Sequence, residues 1–155
     1  MNVFISYSAD DLALVNWIGG QIKPHANVFY WDKSKQPGQD AWQTIYSWID
    51  QSDLVLAVIT DSAVSRAMSV GQEIGRAKAK LKTVVPVVTS NVPSSELGCL
   101  SGTTYQKIDP ENPGATLNVI TKVIMAKKQT LENQKNMLFL VGGVVLTLLL
   151  LSSKE

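Results

Sequence analysis

The sequence predicts an α/β fold: a flavodoxin-like, parallel five-stranded sheet with helices on both faces, followed by a C-terminal transmembrane helix. Three observations predict it. Short β-rich apolar runs alternate with stretches of helical periodicity. Two of those runs are apolar on both faces, as buried parallel strands are. Near the C-terminus lies a charge-free stretch, MLFLVGGVVLTLLLL.

VFISY (3–7) gives the first strand. DDLALVNWIGGQI follows as a helix with Leu14, Ile18 and Ile22 on one stripe; Ser8 and Asp11 have the spacing of a capping box at its start, and Gly19 and Gly20 weaken its end. VFY (28–30) is the second strand, and Pro37-Gly38 makes KSKQPGQD a turn-rich loop. DAWQTIYSWID places Trp42, Ile45 and Ile49 on one helical face. LVLAVI (54–59) is a buried strand, and residues 66–81 put Val70, Ile74, Ala77 and Leu81 at helical spacing. TVVPVV (83–88) is a further buried strand, although Pro86 argues against a central position. YQKI (105–108) is a fifth strand at an edge, and ATLNVITKVIMAKK a last helix.

The domain organisation expected is therefore residues 1–126 as one α/β domain, 127–136 as a polar linker and 137–153 as a membrane-spanning helix. The apolar run of about 15 residues reaches about 22 Å as a helix, short of a hydrocarbon core of roughly 30 Å. Ser152 and Ser153 extend it, and Lys135 and Lys154 are placed to snorkel at its edges. A buried core helix would show a polar face, and this stretch has none. Lys122, Lys127, Lys128 and Lys135 precede it against Lys154 after it, so the positive-inside rule places the α/β domain in the cytoplasm. MNVFISYSADD lacks the basic start and long apolar run of a signal peptide.

Composition excludes several function classes. Fourteen basic residues against thirteen acidic ones give no basic excess for nucleic acid. One cysteine, Cys99, and one histidine, His25, supply no metal-ligand set, so no metal is expected. G-x-G-x-x-G, G-x-x-x-x-G-K-[ST] and G-x-S-x-G are all missing, and His25 lies on the wrong side of the second strand for a catalytic triad. A receiver-type domain would want clustered acids directly after the first strand and an Asp ending the third. Asp10 and Asp11 come several residues late, and Asp61 slightly past the strand.

In open α/β sheets ligands bind beyond the carboxyl ends of the strands. The first strand delivers Ser6, Tyr7 and Ser8 there; the second delivers Trp31, Asp32 and the loop KSKQPGQD; the third leads through TDSAVS into the helix AMSVGQEIGRA, where Glu73 is surrounded by small side chains.

These segments, in this order, resemble the Toll/interleukin-1 receptor (TIR) domain family, particularly its bacterial members. VFISYSADD is similar to the family's first box, and YWDKSKQPGQDAWQTIYSWIDQSDLVLAVIT to its second. SRAMSVGQEIGRAKAK occupies the place of the segment that carries the catalytic Glu in NAD-cleaving members. The resemblance covers about residues 2–108. It implies that Glu73 is catalytic and that Tyr7 and Ser8 border the nicotinamide-ribose pocket. It also implies that Asp32 and Lys35 sit at the base of the loop, with Trp42 near its far end. Enzymatic members commonly have a Trp four residues before the Glu; here that position is Ser69, one helical turn away on the same face.

The activity implied is that of an NAD+ nucleosidase with NAD+ as substrate and no cofactor. It would release nicotinamide and ADP-ribose or a cyclic form. Such a protein would act at a membrane as an antiviral or cell-death effector, activated by contacts with other TIR domains. The alternative, from another class, is a non-catalytic TIR scaffold in which Ser69 marks a decayed site. The chemistry is coherent by itself. Nicotinamide leaves as a neutral group from an already cationic bond, so one carboxylate stabilising an oxocarbenium-like ribose suffices without a general acid.

Overall fold

The computed structural model describes residues 1–32, 41–61, 67–109 and 112–152. Five strands form one sheet: β1 (Asn2–Ser6), β2 (Asn27–Phe29), β3 (Leu54–Ile59), β4 (Thr83–Thr89) and β5 (Gln106–Ile108), in the order β2-β1-β3-β4-β5. Every pairing is parallel. The chain moves outward from β1 in one direction to β2 and in the other to β3, so the crevice expected for ligands lies beyond the carboxyl ends of β1 and β3.

Side-chain alternation divides the core between the two faces of the sheet. Val3 and Ile5 of β1 and Leu54, Leu56 and Val58 of β3 pack against α1 (Leu12–Ile22) and α4 (Gly114–Ser152), through Val15, Ile18 and Ile22 of the first and Leu117, Ile120 and Ile124 of the second. Phe4 and Val55 on the other face meet Ile45 and Ile49 of α2 (Ala41–Gln51) and Ala77 of α3 (Ala67–Ala79). Ala57 and Ile59 meet Val70 and Ile74 of α3. β3 is buried along its whole length. Burying each of these aliphatic side chains contributes about 1.5–3 kcal/mol before conformational entropy is subtracted.

Three local expectations are corrected, and the reading of 83–88 as an internal strand is borne out. The capping box at Ser8 does not form: Ser8 makes no side-chain cap bond, a short 3-10 turn (Ala9–Asp11) precedes α1, and the Asp11 carboxylate instead accepts the Thr60 hydroxyl at 2.6 Å. Gly19 is buried rather than a weak point. A methyl group there would stand at ordinary van der Waals distance from the Tyr30 ring, 3.4 Å, and Val28, 3.7 Å, and the helix continues past it to Ile22.

Leu81, expected to close the apolar stripe of α3, lies beyond the helix, 94% exposed, with φ of 54°. The bonds Lys82 N–H to Ala77 O and Leu81 N–H to Lys78 O complete a Schellman ending in which leucine takes the place glycine usually holds. Pro86 does occupy an internal strand, registered opposite Ala57. β5 begins to pair only at Val87, so no strand lies alongside Pro86 on that side.

α4 runs without interruption from Gly114 to Ser152, so residues 127–136, expected as a polar linker, are helical. Ile124 is the last buried residue among its described side chains, and Met125, Met137 and Leu138 are exposed. At 1.5 Å per residue the part beyond Ile124 is about 42 Å long. Among the described residues no helix is long and apolar enough to cross a membrane.

Candidate functional site

A cavity of about 260 Å³ opens between the carboxyl end of β1, the residues following β2, and helices α2 and α3. Its floor is apolar, from Phe4 and Ile5 of β1, Ile45 of α2 and Val70 of α3. Tyr7, Ser8, Trp31, Trp42, Ser69 and Glu73 line the rest. The structure thus brings Tyr7, Ser8, Trp42, Ser69 and Glu73 together. Asp32 is buried beside them but does not line the cavity. Lys35, with the loop 33–40, lies outside the described residues.

Glu73 is only 6% exposed, at the border of the stripe that Val70, Ile74 and Ala77 bury against the sheet. Beneath it is Ser6, paired in register with the small Ala57. Burial pushes the Glu73 carboxyl up to about 7, and the Ser6 hydroxyl opposes that rise. The opposition is partial: Ser6 Oγ is buried and makes no hydrogen bond of full geometry. Ser8 Oγ, also buried and lining the cavity, has no partner among the described residues. A carboxyl that titrates near neutrality, in an apolar cleft with an unsatisfied hydroxyl, has the signature of a site built for a polar ligand.

Tyr7 has two jobs. Its hydroxyl donates to the backbone carbonyl of Trp31, tying the end of β1 to the end of β2, while its ring lines the cavity and meets Tyr30 edge-on at 6.1 Å. The phenol is pushed up to about 12, first by burial and then by the negative charge of Asp32, so it stays a donor throughout the physiological range.

Trp31, which the sequence places beyond the second strand without a role of its own, also lines the cavity. It extends an aromatic cluster in which Trp48 of α2 stacks on Phe29 and contacts Phe4 and Trp31, with ring centroids 6.1–6.5 Å apart. The signal was the Phe29-Tyr30-Trp31 run, which continues the β2 alternation past its last ladder bond.

The opposite wall is fastened by Arg76, one turn after Glu73. Its Nε and second guanidinium nitrogen reach Asp50 Oδ1 and Oδ2 at 3.0 and 2.6 Å, and the group stacks 4.4 Å above the Tyr46 ring. Arg76 holds the Asp50 carboxyl below its ordinary range, chiefly through this hydrogen bond. Tyr46 in turn packs on Trp42 at 5.5 Å, so the fastening of α3 to α2 also steadies the cavity's half-exposed tryptophan.

A doubly wound parallel sheet with a cavity beyond the carboxyl end of β1 has the architecture of α/β domains that take ligands at that edge. The sequence model of the TIR domain family matches residues 3–118, and the chain belongs to that family. Among solved structures, the Clostridium botulinum CMP N-glycosidase BcmB is similar at 13% identity, covering 77% of this chain and 98% of its own, with a TM-score of 0.53. The TIR domains of the activated Roq1 resistosome, which recognises the pathogen effector XopQ, are similar at 18% identity, covering 65% of this chain and 69% of theirs, with a TM-score of 0.49. No curated protein matches the chain.

Proposed function

We propose that this TIR domain is an NAD+ nucleosidase that cleaves the nicotinamide-ribose bond, with Glu73 as the catalytic carboxylate. The observation that carries the reading is a buried acid, Glu73, poised at about 7, in an aromatic-lined cavity beyond the carboxyl end of β1. At about 260 Å³ the cavity suits one half of a dinucleotide, nicotinamide with its ribose, rather than the whole.

In the reaction the bond between ribose C1′ and the pyridinium nitrogen breaks, and nicotinamide leaves neutral with the electron pair. Ionised Glu73 stabilises the positive charge that develops on the ribose. Water adds at C1′ and loses a proton to give ADP-ribose; attack by a group of the same molecule gives a cyclic product. Trp31 and Trp42 offer faces for the flat nicotinamide, and Ser8 offers its unsatisfied hydroxyl to the ribose. Ser69 leaves open the place where an aromatic would narrow the cavity. BcmB gives a precedent for N-glycosidic cleavage on this fold.

The same proposal includes activation by assembly with other TIR domains and a C-terminal membrane anchor at 137–153, with the domain in the cytoplasm and an antiviral or cell-death role. The apolar run and the lysines before it support the anchor; the family resemblance supports the rest.

The test is to incubate the full chain, clustered on liposomes, with NAD+ and to separate the products by chromatography. Nicotinamide release that disappears in Glu73→Ala is expected. No turnover in the clustered state would overturn the enzymatic reading and leave the non-catalytic scaffold.

A further inference from the structure

On the other face of the sheet, at the same carboxyl edge, a second and more open cavity of about 510 Å³ lies between α1 and the residues following β3 and β4. Its polar lining is Asp11, Thr60, Asp61, Thr89 and Asn91, with Trp17 of α1 at the rim, 39% exposed. None of these residues belongs to the Glu73 cavity.

Two of its features point to a ligand independently. Thr89 continues the Val85 and Val87 side of β4, which faces α1 and α4, and it is only 3% exposed; its Oγ1 is buried with no hydrogen-bond partner among the described residues. A buried hydroxyl in that position has given up its hydrogen bonds to water and regains none unless something reaches it. Beside it, Asp11 is held by the Thr60 hydroxyl at 2.6 Å and feels the negative charge of Asp61, while no basic side chain lines the cavity among the described residues.

The lining narrows the ligand class. Two carboxylates, Asp11 and Asp61, on one cavity wall call for positive charge. An exposed indole at the rim suits an organic cation. We infer that this cavity binds a small organic cation, a primary amine or guanidinium compound. Asp11 and Asp61 hold its charge, Thr89 and Asn91 accept its N–H groups, and Trp17 covers it. The Asp11 carboxyl is raised, by burial first and then by the negative charges of Asp61 and Asp10, with the Thr60 hydrogen bond opposing; a cation beside it would lower it.

The probe is agmatine, which carries both cationic groups, titrated by calorimetry into the full chain in an uncharged maltoside detergent. Saturable 1:1 binding with Kd below about 1 mM is expected. Asp61→Asn and Trp17→Leu, both at partly or fully exposed positions, are each expected to weaken it about tenfold or more while the thermal transition is retained. Thr89→Val, nearly isosteric, tests the buried hydroxyl in the same way. Absence of saturation overturns the inference. So does binding that none of the three variants changes, and so does equal displacement by magnesium chloride, which would mark a diffuse acidic surface. The readout involves no turnover, so it is independent of the NAD+ proposal.

Discussion

The two faces of the sheet end in cavities that treat their acids in different ways. On the α2/α3 face one carboxylate, Glu73, is surrounded by Phe4, Ile45, Val70 and tryptophan rings, and only the Ser6 hydroxyl counteracts its burial. On the α1/α4 face Asp11 is less deeply buried, is tied to Thr60, and has acids for neighbours. Desolvation raises both carboxyls, but the hydrogen bond restrains the second. One fold edge thus supplies an isolated acid suited to stabilising transient charge and an acid cluster suited to holding permanent charge.

The largest effect expected separates the faces by chemistry. Glu73→Gln keeps the shape of the cavity and removes its charge, so nicotinamide release should fall about a hundred- to a thousandfold, read as kcat by product chromatography. Loss of less than tenfold would break the contrast, because Glu73 would then be a passive wall.

The same variant should gain stability where the wild type holds a buried charge. Below about 4.5 Glu73 is protonated in the folded and unfolded chain alike. Above about 7 it is ionised in both, and the folded state carries the penalty. Glu73→Gln should therefore be more stable than wild type at pH 8, by on the order of 3 kcal/mol at most, with the difference shrinking toward zero near pH 4.5; urea melts at the two pH values measure it. Asp11→Asn should shift in the same direction by less, since Thr60 already stabilises the ionised form.

A change remote from both cavities sets the baseline. Leu81→Gly relieves a leucine from a left-handed conformation and should stabilise by about 1 kcal/mol at every pH, again by urea melts. Arg76→Ala is subtler: losing the Asp50 and Tyr46 contacts should loosen Trp42 and raise KM for NAD+ severalfold with a smaller fall in kcat.

Much of this is legible in the amino-acid sequence itself. The alternation of strands and helices predicted five parallel strands, and the structure has them in flavodoxin-like order with β5 at an edge. Val70, Ile74 and Ala77 marked the buried face of α3, and hence Glu73 at its border. What failed was local reasoning where tertiary partners compete. Ser8 and Asp11 fit a capping box by spacing, but Ser8 is turned to one cavity and Asp11 to the other, so neither is left to cap the helix. Trp31 stands at the right end of the sheet in the sequence, but only its contact with Trp48 shows which wall it extends. Asp11 and Asp61 were visible but looked misplaced for a receiver. Only the fold brings Thr89, 28 residues beyond Asp61, into the same cavity.

Burial on the α2/α3 face is the central claim, and the ionisation of Glu73 tests it without reference to turnover. Carbon-13 NMR of the side-chain carboxyl, assigned by its absence in Glu73→Gln and followed from pH 3 to pH 9 in the ligand-free chain, should give a midpoint of about 7. A midpoint near 4.5, the ordinary glutamate value, would show an acid in contact with water and would contradict the account.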